Sequence, residues 1–213
     1  MYLQKTGDEL MNNILVRQAK QTDDLKGIAV CIYLTDPFIY PAAFGSDLNQ
    51  ATQAIVELIS AGNNLLSCGN LLVALDGEKI CGTLLFNKNG SSWNIDQCIA
   101  AVCKYIPNIQ NFMYVSNVYF TEEATVPTDA DIEVIACCVH PEYRNRGIGK
   151  QLLNHLIELF PNDSMALDVL ANNQSAIRVY QKYGFNTVGV HKGFSMEEAS
   201  RPNCYRMIRN TNT

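Results

Sequence analysis

Residues 140–153, HPEYRNRGIGKQLL, combine two arginines and two glycines with the start of an apolar run. Arg144 and Arg146 supply positive charge, and Gly147 and Gly149 leave the backbone open to a close approach. The first N–H groups of a helix lack partners within it, and the helix dipole adds partial positive charge there. The segment therefore predicts an anion site at the start of a helix, suited to a pyrophosphate.

Two common phosphate-binding loops do not match this segment. A Walker A loop needs Ser or Thr after Gly-Lys and an earlier glycine, but Gln151 follows Lys150 and Arg144 stands at the glycine position. A dinucleotide fingerprint needs a third glycine where Leu152 stands. The remaining pattern is Arg-x-x-Gly-x-Gly after a strand.

The cysteines and histidines show no spacing typical of a metal or redox site. None of the eight cysteines forms a Cys-x-x-Cys pair. Cys137 and Cys138 are adjacent inside an apolar segment, which favours buried packing over redox chemistry. No metal is predicted.

Strand and helix signals alternate on both sides of the loop. The first half predicts a strand at 14–18, a helix with Thr22 as its N-cap, a Pro- and aromatic-rich candidate lid at 36–45 and a helix near 48–60. Asp76-Gly77 between two apolar runs predicts a hairpin. The second half predicts strands at 132–139, 165–170, 185–190 and 204–208, with helices at 147–160 and 173–183. The last strand is expected to return antiparallel to the one before it.

The segment 88–131 is long for a connection and is predicted to be an insertion. It contains one expected helix at 95–106 and an irregular acidic tail at 120–131. The whole pattern predicts one domain, 1–213, of the mixed α/β class. Its sheet is expected to be largely antiparallel, with a parallel crossover unit and helices on both faces.

Composition excludes several classes of protein. The chain has 213 residues with 17% charged, and no apolar run reaches the roughly 18 residues of a membrane span. The polar start, MYLQKTGDELMNN, has no signal-peptide pattern, so a cytoplasmic location is predicted. A net charge of −5 argues against a nucleic-acid partner. Exposed strand edges leave a homodimer open.

The loop resembles the acyl-coenzyme A pyrophosphate loop of the GNAT superfamily of N-acetyltransferases. A second block, VLANNQSAIRVYQKYGF at 169–185, resembles that superfamily's following strand and helix, in which an asparagine precedes a helix ending in Tyr-x-x-x-Gly-Phe. The two blocks occur in the expected order. The resemblance implies a GNAT-like fold, acetyl-CoA as co-substrate, and acetyl transfer to a small-molecule or peptide amine by direct attack on the thioester.

The resemblance also implies roles for particular residues. The backbone of Cys137 and Val139 is expected to bind the pantetheine arm, and Asn173 to contact the cofactor while also serving as an N-cap. Tyr180 matches the tyrosine assigned to the departing thiolate, although it also belongs to an apolar helical stripe. Arg144 and the loop residues are expected to take the pyrophosphate through the amides of Arg146, Gly147, Ile148, Gly149 and Lys150.

Glu133 resembles in position the glutamate with which histone acetyltransferases of this superfamily activate the amine. An ordinary carboxylate and an ammonium are mismatched by roughly 8 kcal/mol, so burial, a water relay or deprotonation after attack is required. A structural, ion-paired role for Glu133 is the alternative. A non-catalytic acyl-CoA sensor and an interaction scaffold are the competing functions. Acidic residues predicted to attract a cationic acceptor are Asp36, Asp47, Glu122, Glu123, Asp129 and Asp131.

Overall fold

A computed structural model describes residues 14–89, 95–120, 129–193 and 201–211, with the side chains of Ile95 and residues 116–120 left aside. Seven strands form one sheet in the order β1-β2-β3-β4-β5-β7-β6. Their bounds are β1 Ile14–Gln18, β2 Leu71–Asp76, β3 Lys79–Lys88, β4 Ile132–Val139, β5 Met165–Leu170, β6 Asn186–His191 and β7 Cys204–Arg209. Only β4 and β5 pair in parallel. The predicted fold class is confirmed.

Seven α-helices accompany the sheet in the described part of the chain. They are α1 Leu25–Tyr33, α2 Ile39–Phe44, α3 Leu48–Ala61, α4 Ile95–Val102, α5 Ile109–Phe120, α6 Ile148–Leu159 and α7 Gln174–Lys182. Asp24, not Thr22, caps α1, because its carboxylate accepts the Gly27 N–H. Within the expected lid, six residues form α2, and α5 occupies a stretch for which no helix was predicted.

The two faces of the sheet carry separate apolar cores. Along β2, Leu71 and Val73 pack with α1, α3 and the 88–131 segment, whereas Leu72 and Ala74 pack with α6. Strand side chains alternate between faces, so a strand covered on both sides is apolar throughout. All residues of β2 from Leu71 to Leu75 are buried accordingly.

The parallel pair β4 and β5 is joined over a short length. Their register runs only through Ile132–Met165, Glu133–Ala166 and Val134–Leu167. Beyond Val134, β4 continues to Val139 against β3, and β5 continues to Leu170 against β7. The two strands therefore separate into a cleft at the centre of the sheet. Among the described helices, none is long and apolar enough to cross a membrane.

Candidate active site

The glycine-arginine segment forms a tight turn between β4 and α6. A short 3₁₀ turn at Pro141–Tyr143 follows β4, and Asn145 and Gly147 then adopt positive φ angles of 64° and 74°. Gly147 is the N-cap of α6, and its carbonyl accepts the Lys150 N–H at 3.0 Å. The amides of Ile148 and Gly149 precede this first bond and lack helical partners. The Lys150 amide, in contrast, is used within the helix.

The arginine side chains brace the turn through its own backbone. Arg144 Nε donates to the Val139 carbonyl at 3.4 Å, and Arg146 Nη2 donates to the Glu142 carbonyl at 3.3 Å. The Arg146 guanidinium also lies 4.9 Å from the centre of the buried Tyr143 ring. Both cations are thereby held beside the N-terminus of α6, where an anion would be stabilised.

A cavity of about 240 Å³ opens where β4 and β5 separate. Its β4 wall includes residues 134–137, and its β5 wall includes residues 167–170. Asn173, Ala176 and Tyr180 extend the second wall. The Asn173 carboxamide accepts the Ala176 N–H at 3.2 Å and so caps α7, the structural role predicted for it.

Tyr180 brings a phenol to the cavity wall from α7. Its ring packs edge-on against Phe185, with centroids 5.8 Å apart. Burial raises the pKa of the phenol above its ordinary value, and the neighbouring Cys137 adds to this. None of the described residues forms a hydrogen bond with the Tyr180 hydroxyl. Tyr180 is therefore a protonated donor facing the cleft.

Glu133 lies where the two strands are still paired, in a cluster of charged side chains. Both of its oxygens accept from Arg206, with Nη2 to Oε2 at 2.7 Å. Arg206 Nη1 also lies 3.5 Å from Asp168 Oδ1, and His191 Nδ1 is 2.8 Å from Asp168 Oδ2. Burial raises the pKa of Glu133, and the bonds to Arg206 oppose this rise. Glu133 is thus an ion-paired carboxylate next to the cleft.

Asp168 is the carboxylate of this cluster that belongs to the cavity wall. Sequence reasoning did not single it out. The sequence feature that could have identified it is its position, since it is an acidic residue near the end of an otherwise apolar strand and lies five residues before Asn173. Its Oδ1 is buried and has no hydrogen bond.

Comparison with known proteins identifies the family. A model of the acetyltransferase (GNAT) family matches residues 39–185, more than half of the chain. The chain belongs to this family. The matched residues include the cleft between β4 and β5, the turn before α6 and Tyr180.

Curated relatives match over shorter stretches. The L-amino acid N-acetyltransferase AaaT of Escherichia coli (strain K12) is 31% identical over 87 residues, which are 39% of this chain and 54% of that protein. The N-alpha-acetyltransferase RimI of Mycobacterium tuberculosis (strain H37Rv) is 30% identical over 87 residues, 41% of this chain and 52% of that protein. The GNAT chain therefore spans about half the length of the curated relatives it matches.

A solved structure extends the likeness of fold to nearly the whole chain. The N-acetyltransferase from Staphylococcus aureus Mu50 superposes with a TM-score of 0.62 at 17% identity, covering 91% of this chain and 99% of that one. The predicted membership of the GNAT family is confirmed.

The acidic residues expected to attract the acceptor have structural partners. Asp36 accepts the N–H groups of Phe38 and Ile39 through Oδ1, and Arg201 Nε donates to its Oδ2 at 2.9 Å. Asp47 caps α3, and Asp131 accepts from the hydroxyl of Ser164 at 2.7 Å.

Two other members of the acidic set lie outside the described residues, Glu122 and Glu123, and Asp129 is exposed to solvent. Of the four acidic residues of the set that the structure describes, Asp36 alone belongs to the cavity wall.

Proposed function

We propose that this protein transfers the acetyl group of acetyl-CoA to a primary amine of a small molecule or peptide by direct attack on the thioester. One observation carries the proposal. The strands β4 and β5 separate into a cleft that has a cationic, glycine-containing turn at one end and the Tyr180 phenol on its wall.

The chain offers a suitable seat for the co-substrate. Gly147, at a φ of 74°, turns the backbone without the strain that a Cβ would bring, and the Ile148 and Gly149 amides serve the pyrophosphate beside Arg144 and Arg146. The pairing of β4 with β5 ends at Val134. Further along β4, the backbone of Cys137 and the N–H of Val139 serve the amide-bearing pantetheine arm, as an added strand would use them.

The chemistry then follows from the groups around the cleft. A main-chain amide near Val139 stabilises the developing oxyanion, and Tyr180 donates a hydrogen bond to the thiolate that leaves. Glu133 remains the proposed acceptor of the amine proton, and Asp168, the carboxylate of the same cluster that lines the cavity, would relay it. Cys137 is not a nucleophile in this scheme, because burial raises its pKa to about 12.

The test compares acetyl-CoA binding by calorimetry in Gly147→Leu and Gly77→Leu. Both glycines have left-handed φ angles, 74° and 62°, so both variants carry similar backbone strain. Only Gly147 belongs to the turn before α6. The proposal expects binding to be lost in Gly147→Leu and kept in Gly77→Leu. Equal binding in both variants would contradict the assigned pyrophosphate site.

A non-catalytic acyl-CoA sensor is the second candidate. It predicts binding without release of coenzyme A when amines are supplied. The Tyr180 phenol at the cleft favours the enzyme, since a sensor needs no donor there. We also propose a cytoplasmic location, a single domain in which 88–131 is an insertion, and a homodimer formed through a strand edge.

A further inference from the structure

The part of the cavity remote from α7 has an apolar wall built by helices. Its side chains come from α2, α3, the turn after α3 and α5. The wall consists of Ile39, Phe44, Leu58, Leu66, Phe112 and Val115. The six are all at most 8% exposed in the protein. An apolar group entering this space would leave water without forfeiting hydrogen bonds.

Described residues of the 88–131 segment, from Tyr105 to Val115, pack against this wall or belong to it. The Phe112 ring packs edge-on against Phe44, with centroids 5.4 Å apart. The Tyr105 hydroxyl donates to Glu57 Oε1 of α3 at 3.0 Å. A Cβ added to Gly45 would lie 2.9 Å from the Pro107 ring, so the segment lies tightly against the end of α2.

The carboxylates of the cavity wall already have side-chain partners. Asp36 is paired with Arg201, and Asp168 is paired with His191 and Arg206. Among the described residues of the wall, each carboxylate is thus already engaged by another side chain, although Asp168 Oδ1 itself accepts no hydrogen bond. The second cation of a polyamine would therefore compete with Arg201 or Arg206 for a carboxylate, and burying a charge without a partner of its own is costly.

We infer that the acceptor is a primary amine beside one apolar side chain, as in a hydrophobic amino acid or a peptide that begins with one. This inference rests on the proposed acetyl transfer and names its substrate class. The cavity of about 240 Å³ is smaller than the roughly 300–1,000 Å³ of drug-sized ligand sites. It must hold the acetyl end of the co-substrate as well, so one side chain fills it. Phe112 and Val115 set the size of that side chain.

The experiment measures coenzyme A release with five amines: L-leucine, L-phenylalanine, pentapeptides beginning with Leu or Phe, and spermidine. The apolar amines are expected to exceed spermidine in kcat/KM by at least about tenfold, the effect of a single apolar group in a pocket. Comparing the free amino acids with the peptides shows whether the acceptor is a small molecule or the N-terminus of a peptide. Spermidine equal to or better than every apolar amine would overturn the inference.

A matched pair of variants tests the role of the 88–131 segment. Val115 and Val102 are both buried in it, but only Val115 lines the cavity. Val115→Ala should raise the preference for Phe over Leu acceptors by about tenfold, since it enlarges the pocket by two methyl groups. Val102→Ala should leave that preference unchanged. Equal preferences in the two variants would refute the size-setting role.

A filling variant and a binding control complete the design. Ala43→Leu extends a side chain of α2 into the same space and should reduce activity on Phe acceptors more than on Leu acceptors. Acetyl-CoA binding is measured calorimetrically in every variant. If wild type binds acetyl-CoA and acetylates spermidine rapidly, the apolar substrate class is refuted and the proposed acetyl transfer stands. If folded wild type does not bind acetyl-CoA, both proposals are refuted.

Discussion

Replacing Tyr180 with phenylalanine removes one hydroxyl and keeps the ring that packs on Phe185. Burial raises the pKa of this phenol above its ordinary value of about 10, so the hydroxyl keeps its proton throughout the working pH range. A hydrogen bond to a charged group contributes about 1.5–3 kcal/mol. At about 1.4 kcal/mol per tenfold, the loss in kcat is roughly 10- to 150-fold. The neutral thioester sulfur accepts only weakly, so acetyl-CoA binding should hardly change.

The assay is steady-state release of coenzyme A at saturating acetyl-CoA, with calorimetric binding measured in parallel. Tyr183→Phe is the matched control, because that residue lies on the same face at the end of α7 and donates instead to the Lys150 carbonyl at 3.3 Å. A kcat for Tyr180→Phe equal to that of Tyr183→Phe would refute the donor role. A loss confined to acetyl-CoA affinity would leave Tyr180 as a packing residue.

Three further outcomes are expected. Glu133→Gln should lower kcat about 10²-fold at neutral pH and less at high pH, where the amine loses its own proton; an unchanged pH–rate profile would assign Glu133 a structural role only. Cys137→Ala should retain turnover and give no acylated protein by mass spectrometry, because its raised pKa keeps the thiol protonated; a trapped acyl group in wild type but not in the variant would contradict this. Arg17 lowers the pKa of Asp23, so this pair stabilises the fold above the unfolded pKa of about 3.9 and loses its contribution as pH falls through the folded value. The deficit in Tm caused by Asp23→Asn should therefore be full at pH 7 and shrink below about pH 4; a deficit that persists in acid would exclude the ion pair as its cause.

Local patterns predicted the regular elements well. The hairpin after Asp76 occurs as expected: Asp76 pairs with Lys79, and Gly77 takes a φ of 62° at the first position of the two-residue loop, a conformation that glycine adopts without strain. The cap of α1 was misplaced by two residues, since Thr22 and Asp24 are both good N-caps and spacing alone does not choose between them. The helix α5 was missed because apolar and polar residues alternate irregularly in it, and its burial depends on contacts with α2.

The site was predictable where backbone conformation constrains sequence. The positive φ of Gly147 favours a residue without a Cβ, and Asn173 caps a helix whichever ligand is bound. The partners of Glu133 were not predictable, because Arg206 reaches it from a strand 73 residues further along the chain. The order β5-β7-β6, which inserts the last strand beside β5, creates that contact. Long-range pairings of this kind leave no local signal.

The sheet order also explains why the cleft can exist at all. Each of the two separating strands keeps one complete antiparallel neighbour, β3 beside β4 and β7 beside β5. The ladder between β4 and β5 ends at Val134 and Leu167, where the facing edges separate. Backbone groups left there in a partly buried cleft are costly unless something pairs with them. The fold therefore places backbone groups of β4, among them those of Cys137, beside the cleft, where a ligand with its own amides could pair with them.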